Sequence, residues 1–318
     1  MLMTQEREML RQTVAALVTK HATPAAVRAA MESDRGYDES LWQLLCEQVG
    51  AVALVVPEEL GGAGGELADA ATVLQELGRA LVPSPLLGTT LAELALLAAP
   101  EPDVQTLAAL AEGSSIGALV FDPDYVVNGD IADVVVAASG GQLSRWTRFS
   151  ARPVATMDPT RRLARVQPED CVPVGPDPGL ADTAAILLAA EQIGAAERCL
   201  ELTVEYTKSR VQFGRPIGSF QALKHRMADL YVAIAAARAV VADACNQPSP
   251  TNAATARLAA TEALSRVAAE GIQLHGGIAI TWEHDMHLYF KRAHGSAQLL
   301  GSPRELLRQL EAEVLPTP

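Results

Sequence analysis

The chain has 318 residues, of which 49% are hydrophobic and only 4% aromatic, and its formal net charge is −13. That length holds two or three compact domains, and an Ala/Leu/Val-rich, aromatic-poor composition favours packed helices over an aromatic-rich β architecture. So acidic a chain lacks the basic face that nucleic acids and anionic membranes reward, although a few focused arginines can still grip a small anion.

In chain order, residues 1 to 111 read as an N-terminal helical region. TQEREMLRQTVAALVTKH places apolar residues at helical spacing, and SLWQLLCEQVG is a second amphipathic piece that stops at Gly50. AVALVVPEELGGAGGELADAATVLQELGRALV then gives an apolar run, a glycine turn and a further helix, and Pro83, Pro85 and Pro100 punctuate the segment after it. Residues 112 to 176 change texture: GALVFDP, DVVVAAS, RWTRFSA and RPVATM are short β-branched runs between Asp, Gly and Pro, as expected of strands. From 177 to 318 the chain is helical again. Four long stretches are predicted over about 182–208, 220–246, 252–274 and 284–300, and short connections make them an antiparallel bundle. A last helix starts at Ser302-Pro303-Arg304-Glu305, where Ser302 is a good N-cap and Glu305 completes a capping box.

Several simple functional readings fail on the residues. MLMTQEREMLRQTV opens with charges of both signs and is no export signal. LLGTTLAELALLAA and AAILLAAEQIGAA are short and each carries a carboxylate, so no membrane span is expected. Cys46, Cys171, Cys199 and Cys245 are far apart, which points to a reduced, cytoplasmic compartment. The Gly61–Gly65 turn does not fit a dinucleotide fingerprint, because counting from Gly62 the last glycine position is Leu67. His284 and His287 lack a third metal ligand, and no metal is expected.

The informative stretch is SRVQFGRPIGSFQAL at 209–223, which interrupts two long helices with a cation, an amide and a ring in fixed short order. QLHGG at 273–277 and AQLLGS at 297–302 come on successive helices. Together these three motifs resemble the carboxy-terminal domain of the acyl-CoA dehydrogenase family, and VPEELGGAGGELADAATVLQELGRALVPSP resembles the family's amino-terminal helical domain. The resemblance implies a mainly α fold with a helical N-terminal domain, a shortened β middle domain and a C-terminal four-helix bundle. It also implies FAD as cofactor and α,β-desaturation of an acyl-CoA thioester, with electrons passing to an electron-transfer flavoprotein or similar acceptor.

Carried over residue by residue, the resemblance has Arg210 contact the FAD diphosphate and Gln212 and Phe213 lie along the adenylate. Gln273, Gly276 and Gly277 present an amide and bare backbone to the same part of a cofactor seated on the neighbouring subunit. Guanidinium suits phosphate oxygens, and glycine at a helix end admits close approach.

Two departures matter more than the matches. Residues 112 to 176 carry nothing like the family's Thr-Glu-Pro, Gly-Ser-Asp and Trp-rich stretches beside the flavin ring. The catalytic base is missing too: its usual Glu position is Leu300, and the alternative position on the first bundle helix falls on Ala184 or Ala185. Glu191, two turns further along, is the nearest carboxylate and a weak candidate for the base.

A shortened subunit of a heteromeric α2β2 acyl-CoA dehydrogenase, like those of steroid-degrading bacteria, accounts for both matches and losses. A full-length partner then carries flavin and base, and a bulky polycyclic or branched acyl-CoA is the substrate class by analogy. The alternatives are a self-sufficient acyl-CoA dehydrogenase using Glu191 or another, non-standard base, a non-catalytic scaffold without flavin, and, more distantly, a nicotinamide enzyme.

Overall fold

A computed structural model describes residues 4–314. Helices dominate, with one small sheet between two helical regions. The first region holds α1 (Gln5–His21), α2 (Pro24–Glu32), α3 (Glu39–Leu44), α4 (Leu67–Arg79), α5 (Leu86–Leu97) and α6 (Val104–Ala111). Their starts come from local chemistry: the Thr4, Thr23 and Asp38 side chains accept the free N–H groups of α1, α2 and α3, and Pro24 takes the first turn of α2. The segment 45–49 widens into a single π turn that ends on Gly50 in the left-handed region.

The middle region contributes β1 (Gly117–Val120), β2 (Val126–Val127), β3 (Val134–Ser139), β4 (Gln142–Val154) and β5 (Leu163–Pro176), in the order β1-β3-β4-β5-β2. β1 and β3 run parallel and the other pairs antiparallel. The buried run Val134–Ala137 packs this sheet against α5, whereas the far parts of the β4–β5 hairpin are open to solvent on both faces. The turn joining β4 to β5 folds back, and its Asp158 and Thr160 are buried.

Beyond the sheet come α7 (Leu180–Ser209), α8 (Gln221–Asn246), α9 (Pro250–His275), α10 (Met286–Gln298) and α11 (Pro303–Val314). Ser302 and Glu305 form the predicted reciprocal cap of α11: the Ser302 N–H donates to Glu305 Oε2 at 2.7 Å, and the Glu305 N–H donates to Ser302 Oγ at 3.4 Å. α7 is the spine. It lies against α4 so closely that a Cβ on Gly194 would stand 1.8 Å from the Gln75 carbonyl oxygen, and one on Gly78 would stand 2.2 Å from that of Glu191. Only glycine permits that crossing. On its other side α7 runs parallel to α9, with Gln192 facing Arg257, Cys199 facing Val267 and Tyr206 facing His275 in rising order. α8, which comes between them in the chain, packs antiparallel to both: its Met227 and Arg238 meet Thr207 and Glu197 of α7, and its Arg226 meets Glu270 of α9. The C-terminal ends of α7 and α9 therefore emerge side by side at one end of the bundle.

Candidate functional site

Arg210 closes α7, its N–H donating to the Tyr206 carbonyl at 2.8 Å, and the chain then makes a tight two-stranded turn, β6 (Val211–Gln212) and β7 (Arg215–Pro216). Phe213 sits at the tip with φ +54, left-handed for a residue with a side chain, and is 90% exposed. A bulky residue in this region is strained by about 1–2 kcal/mol. Phe220 meets its ring edge-on at 6.1 Å, and the Arg215 guanidinium lies 4.0 Å over the Phe220 ring. The Arg210 side chain makes no ion pair among the described residues.

At the adjacent end of α9, Gln273, Gly276 and Gly277 are all exposed. Gly276 takes φ +66 and ψ −147, a conformation essentially restricted to glycine, and a Cβ added at either glycine would meet nothing within 4 Å. The parallel register of α7 and α9 thus gathers the six residues singled out for the cofactor at one end of the bundle. An unpaired guanidinium, bare backbone and an exposed aromatic ring together suit the diphosphate and adenylate portion of a dinucleotide.

The positions where a base would stand are elsewhere. Leu300 is half-buried in the left-handed region (φ +59), ahead of Gly301 (φ +103). Its loop is held by Arg257, fully buried on α9, whose Nη2 donates to the carbonyls of Ser296 and of Leu299, the latter at 3.0 Å, while Nη1 donates to Gln192 Oε1 at 2.7 Å. Burial pulls the Arg257 guanidinium down to about 10, helped by the nearby Arg161 charge, so it stays cationic at neutral pH. Ala184 and Ala185 are buried hydrocarbon. No group on Leu300, Ala184 or Ala185 can take a proton.

Glu191 is buried in an ion cluster. One of its carboxylate oxygens accepts from Arg161 at 2.5 Å and also from Arg292. Arg292 in turn donates to Asp158 Oδ2 at 2.8 Å and to the Thr160 carbonyl at 2.9 Å. Burial alone would raise the Glu191 carboxyl, but the charges of Arg161 and Arg292 outweigh it and hold the group below its ordinary value. A carboxylate so clamped is a poor proton acceptor. The cluster ties the β4–β5 turn to α7 and α10, and no sequence motif marks it, because Asp158, Arg161, Glu191 and Arg292 are scattered along the chain.

His284 and His287, weighed as a metal pair, lie instead among rings: His284 against His275 at 4.6 Å and His287 edge-on to Trp282 at 4.6 Å. A concavity of about 1530 Å³ along α7 between α1, α4 and α8 is apart from both sets of residues, and Arg79 in it is paired with Glu197 and Glu201.

Comparison with known proteins adds the family context. Models of the acyl-CoA dehydrogenase N-terminal and C-terminal domains match residues 4–114 and 181–315. The chain is 84% identical over 314 residues to acyl-CoA dehydrogenase IpdE2 of Mycobacterium tuberculosis (strain ATCC 25618 / H37Rv), covering 99% of each. Among solved structures it superposes on a chain of the ChsE4-ChsE5 complex from Mycobacterium tuberculosis with a TM-score of 0.89 and 26% identity, over 100% of this chain and 99% of that one. A variant of the Tcur3481-Tcur3483 steroid ACAD gives the same score and identity, over 98% of both chains.

Proposed function

The chain belongs to the acyl-CoA dehydrogenase family, and from that premise we propose that it is the shortened subunit of a heteromeric FAD-dependent enzyme, completing the cofactor pocket of a full-length catalytic partner. One observation carries the reading: the six residues assigned to the dinucleotide by resemblance are exposed at one end of the bundle, while the positions that the resemblance gives to a base hold inert side chains remote from them. Gln273 is sixteen residues beyond Arg257 on α9, about 24 Å at 1.5 Å per residue. Arg257 holds the Leu300 loop, so the two sets are separated by roughly that length. The exposed set faces outward and is available to a neighbour.

The residues present fit the phosphate and adenosine half of FAD and do not fit its flavin end. Arg210 supplies a free guanidinium for the diphosphate, Gly276 and Gly277 supply open backbone, and Phe213 and Gln212 supply a ring and an amide beside the adenylate. When bound to the assembled enzyme, FAD supplies the acceptor for hydride from the acyl β-carbon. This chain's residues bind and orient its distal half, and the base for the α-proton belongs to the partner. A bulky, steroid-derived acyl-CoA is the substrate class, supported by the likeness to a protein described as a steroid ACAD. An electron-transfer flavoprotein or similar acceptor then reoxidises the complex.

The test is flavin absorbance of the chain purified alone and after co-expression with a full-length acyl-CoA dehydrogenase encoded beside it. Flavin is expected only in the complex, and Arg210→Ala there should strip most of it. Stoichiometric flavin on the lone chain overturns the reading in favour of a self-sufficient enzyme. Unchanged flavin in the Arg210→Ala complex overturns the shared pocket.

A further inference from the structure

The two proposed cofactor-facing segments are about sixty residues apart in sequence, and Gly276, at φ +66 and ψ −147, turns the chain sharply out of α9. Something must fix one segment against the other. Immediately behind both lies a pile of rings. Tyr206, one turn before Arg210, stacks on His275, the residue before Gly276, with centroids 4.3 Å apart and planes at 24°. His284, from the loop leading into α10, closes on His275 at 4.6 Å and meets Tyr206 edge-on at 6.3 Å.

Hydrogen bonds lock the rings. His275 Nδ1 lies 2.7 Å from the Gly271 carbonyl, so it carries the proton and donates, leaving Nε2 bare and without a partner among the described residues. His284 Nδ1 accepts the Met286 N–H at 3.1 Å, which fixes that ring in the opposite tautomer. Beneath them the helices are in close contact: a Cβ on Gly271 would stand 2.6 Å from the Met286 sulfur and 3.3 Å from Thr203 Oγ1. The Tyr206 carbonyl also receives the Arg210 N–H at 2.8 Å. Arg210 and Gly276 are each joined directly to a member of one ring pair.

We infer that the Tyr206–His275 stack, braced by His284, is a positioning clamp that sets Arg210 and the Gly276–Gly277 backbone at the spacing one dinucleotide requires. This rests on the shared-pocket reading above. Tyr206 and His275 touch no reacting atom; they act through the residues next to them in the chain.

The experiment uses the co-expressed complex, stripped of flavin and titrated with FAD, with melting and subunit stoichiometry recorded on the same samples. Tyr206→Leu should weaken FAD binding about tenfold, and Tyr206→Phe, which keeps the ring and loses only the hydroxyl, should restore it to within about twofold. His275→Gln keeps an N–H but offers no ring, and should match Tyr206→Leu even if the latter assembles poorly. The Tyr206→Leu/His275→Gln pair should bind no more weakly than either single change, because both remove the same stack. Wild-type FAD affinity in both single variants, beside a weakened Arg210→Ala complex, overturns the clamp alone. Wild-type affinity in Arg210→Ala as well removes the shared pocket and the clamp with it.

Discussion

Glu191 offers the sharpest separation between a structural and a chemical role. Its carboxylate is buried, and its two cationic partners, Arg161 and Arg292, are buried or nearly so. Removing one member of a buried, hydrogen-bonded ion cluster leaves the other charges uncompensated and typically costs about 3–5 kcal/mol. Here Glu191→Ala strands two guanidiniums, only one of which keeps a carboxylate, through the Arg292–Asp158 pair. At about 2 °C per kcal/mol for a chain of this size, the lone chain should melt roughly 5–10 °C lower. Glu191→Gln keeps an acceptor oxygen and loses the charge, so its cost should be about half as large. The pH dependence carries a sign. Because the folded carboxyl is held below its ordinary value of 4.5, its stabilisation is complete above that pH and is lost as pH falls below it. Wild type should therefore lose stability on acidification through this window, and Glu191→Gln should lose less. Turnover per assembled complex should be unchanged in Glu191→Gln. Abolished turnover with unaltered melting would refute the structural assignment and make Glu191 the base after all.

Three further outcomes are expected. Glu93→Met on α5 should stabilise the lone chain by about 1–3 kcal/mol near pH 4.5, since it removes a fully buried carboxyl with neither oxygen partnered among the described residues. Burial holds that carboxyl well above the ordinary range, so a further penalty, on top of the cost of the unpartnered neutral group, sets in above about pH 4.5 and grows by about 1.4 kcal/mol per unit until the folded group ionises. The gain from Glu93→Met, read by denaturant unfolding, should accordingly increase with pH, and a pH-independent gain would contradict the assignment. Gly194→Ala forces α7 away from α4 and should cost at least the ~1–3 kcal/mol of core overpacking, seen as loss of soluble chain or a lower melting point. Phe213→Ala removes a 90% exposed ring and should leave lone-chain stability within about 0.5 kcal/mol while lowering the flavin content of the complex.

What the sequence disclosed was whatever is written in short range. The reciprocal cap at Ser302 and Glu305, the halt of α9 at Gly276 and the break after Ser209 each depend on a few adjacent residues. The split into helices, then strands, then helices comes from local period and β-branching, so the mainly α family fold was legible. What stayed hidden depends on which distant residues meet. Two carboxylates interrupt the apolar runs of α5 and α7, and in sequence both look like ordinary breaks in hydrophobicity. In the fold both are buried, with opposite outcomes: Glu191 is met by two guanidiniums and ionises readily, while Glu93 meets none and is pushed up. Nothing local distinguishes them, because Arg161 and Arg292 arrive from the β4–β5 turn and from α10.

The same dependence on long-range register gives the bundle its directional character. Had α7 and α9 been antiparallel neighbours, Arg210 would stand near the start of α9, some 39 Å of helix from Gly276 at 1.5 Å per residue, and no single ligand could touch both. Returning α8 between them makes the two run parallel, so both ends open on one surface. That surface holds a cation with no ion pair among the described residues, bare glycine backbone and a strained exposed ring. The opposite end has the left-handed turn at Leu300 and Gly301, with Arg257 donating to the carbonyls of Ser296 and Leu299 just before it, and Leu300 is the position that the family resemblance assigns to a carboxylate. On the shared-pocket proposal, a chain with Leu300 at that position and with its exposed Arg210, Phe213 and Gly276 at the far end of the bundle serves a site completed by its partner. Restoring the carboxylate by Leu300→Glu should therefore produce no dehydrogenase turnover in the lone chain, measured with an artificial electron acceptor and added FAD. Turnover there would mean that the missing base was the one thing lacking, and that the partner is dispensable.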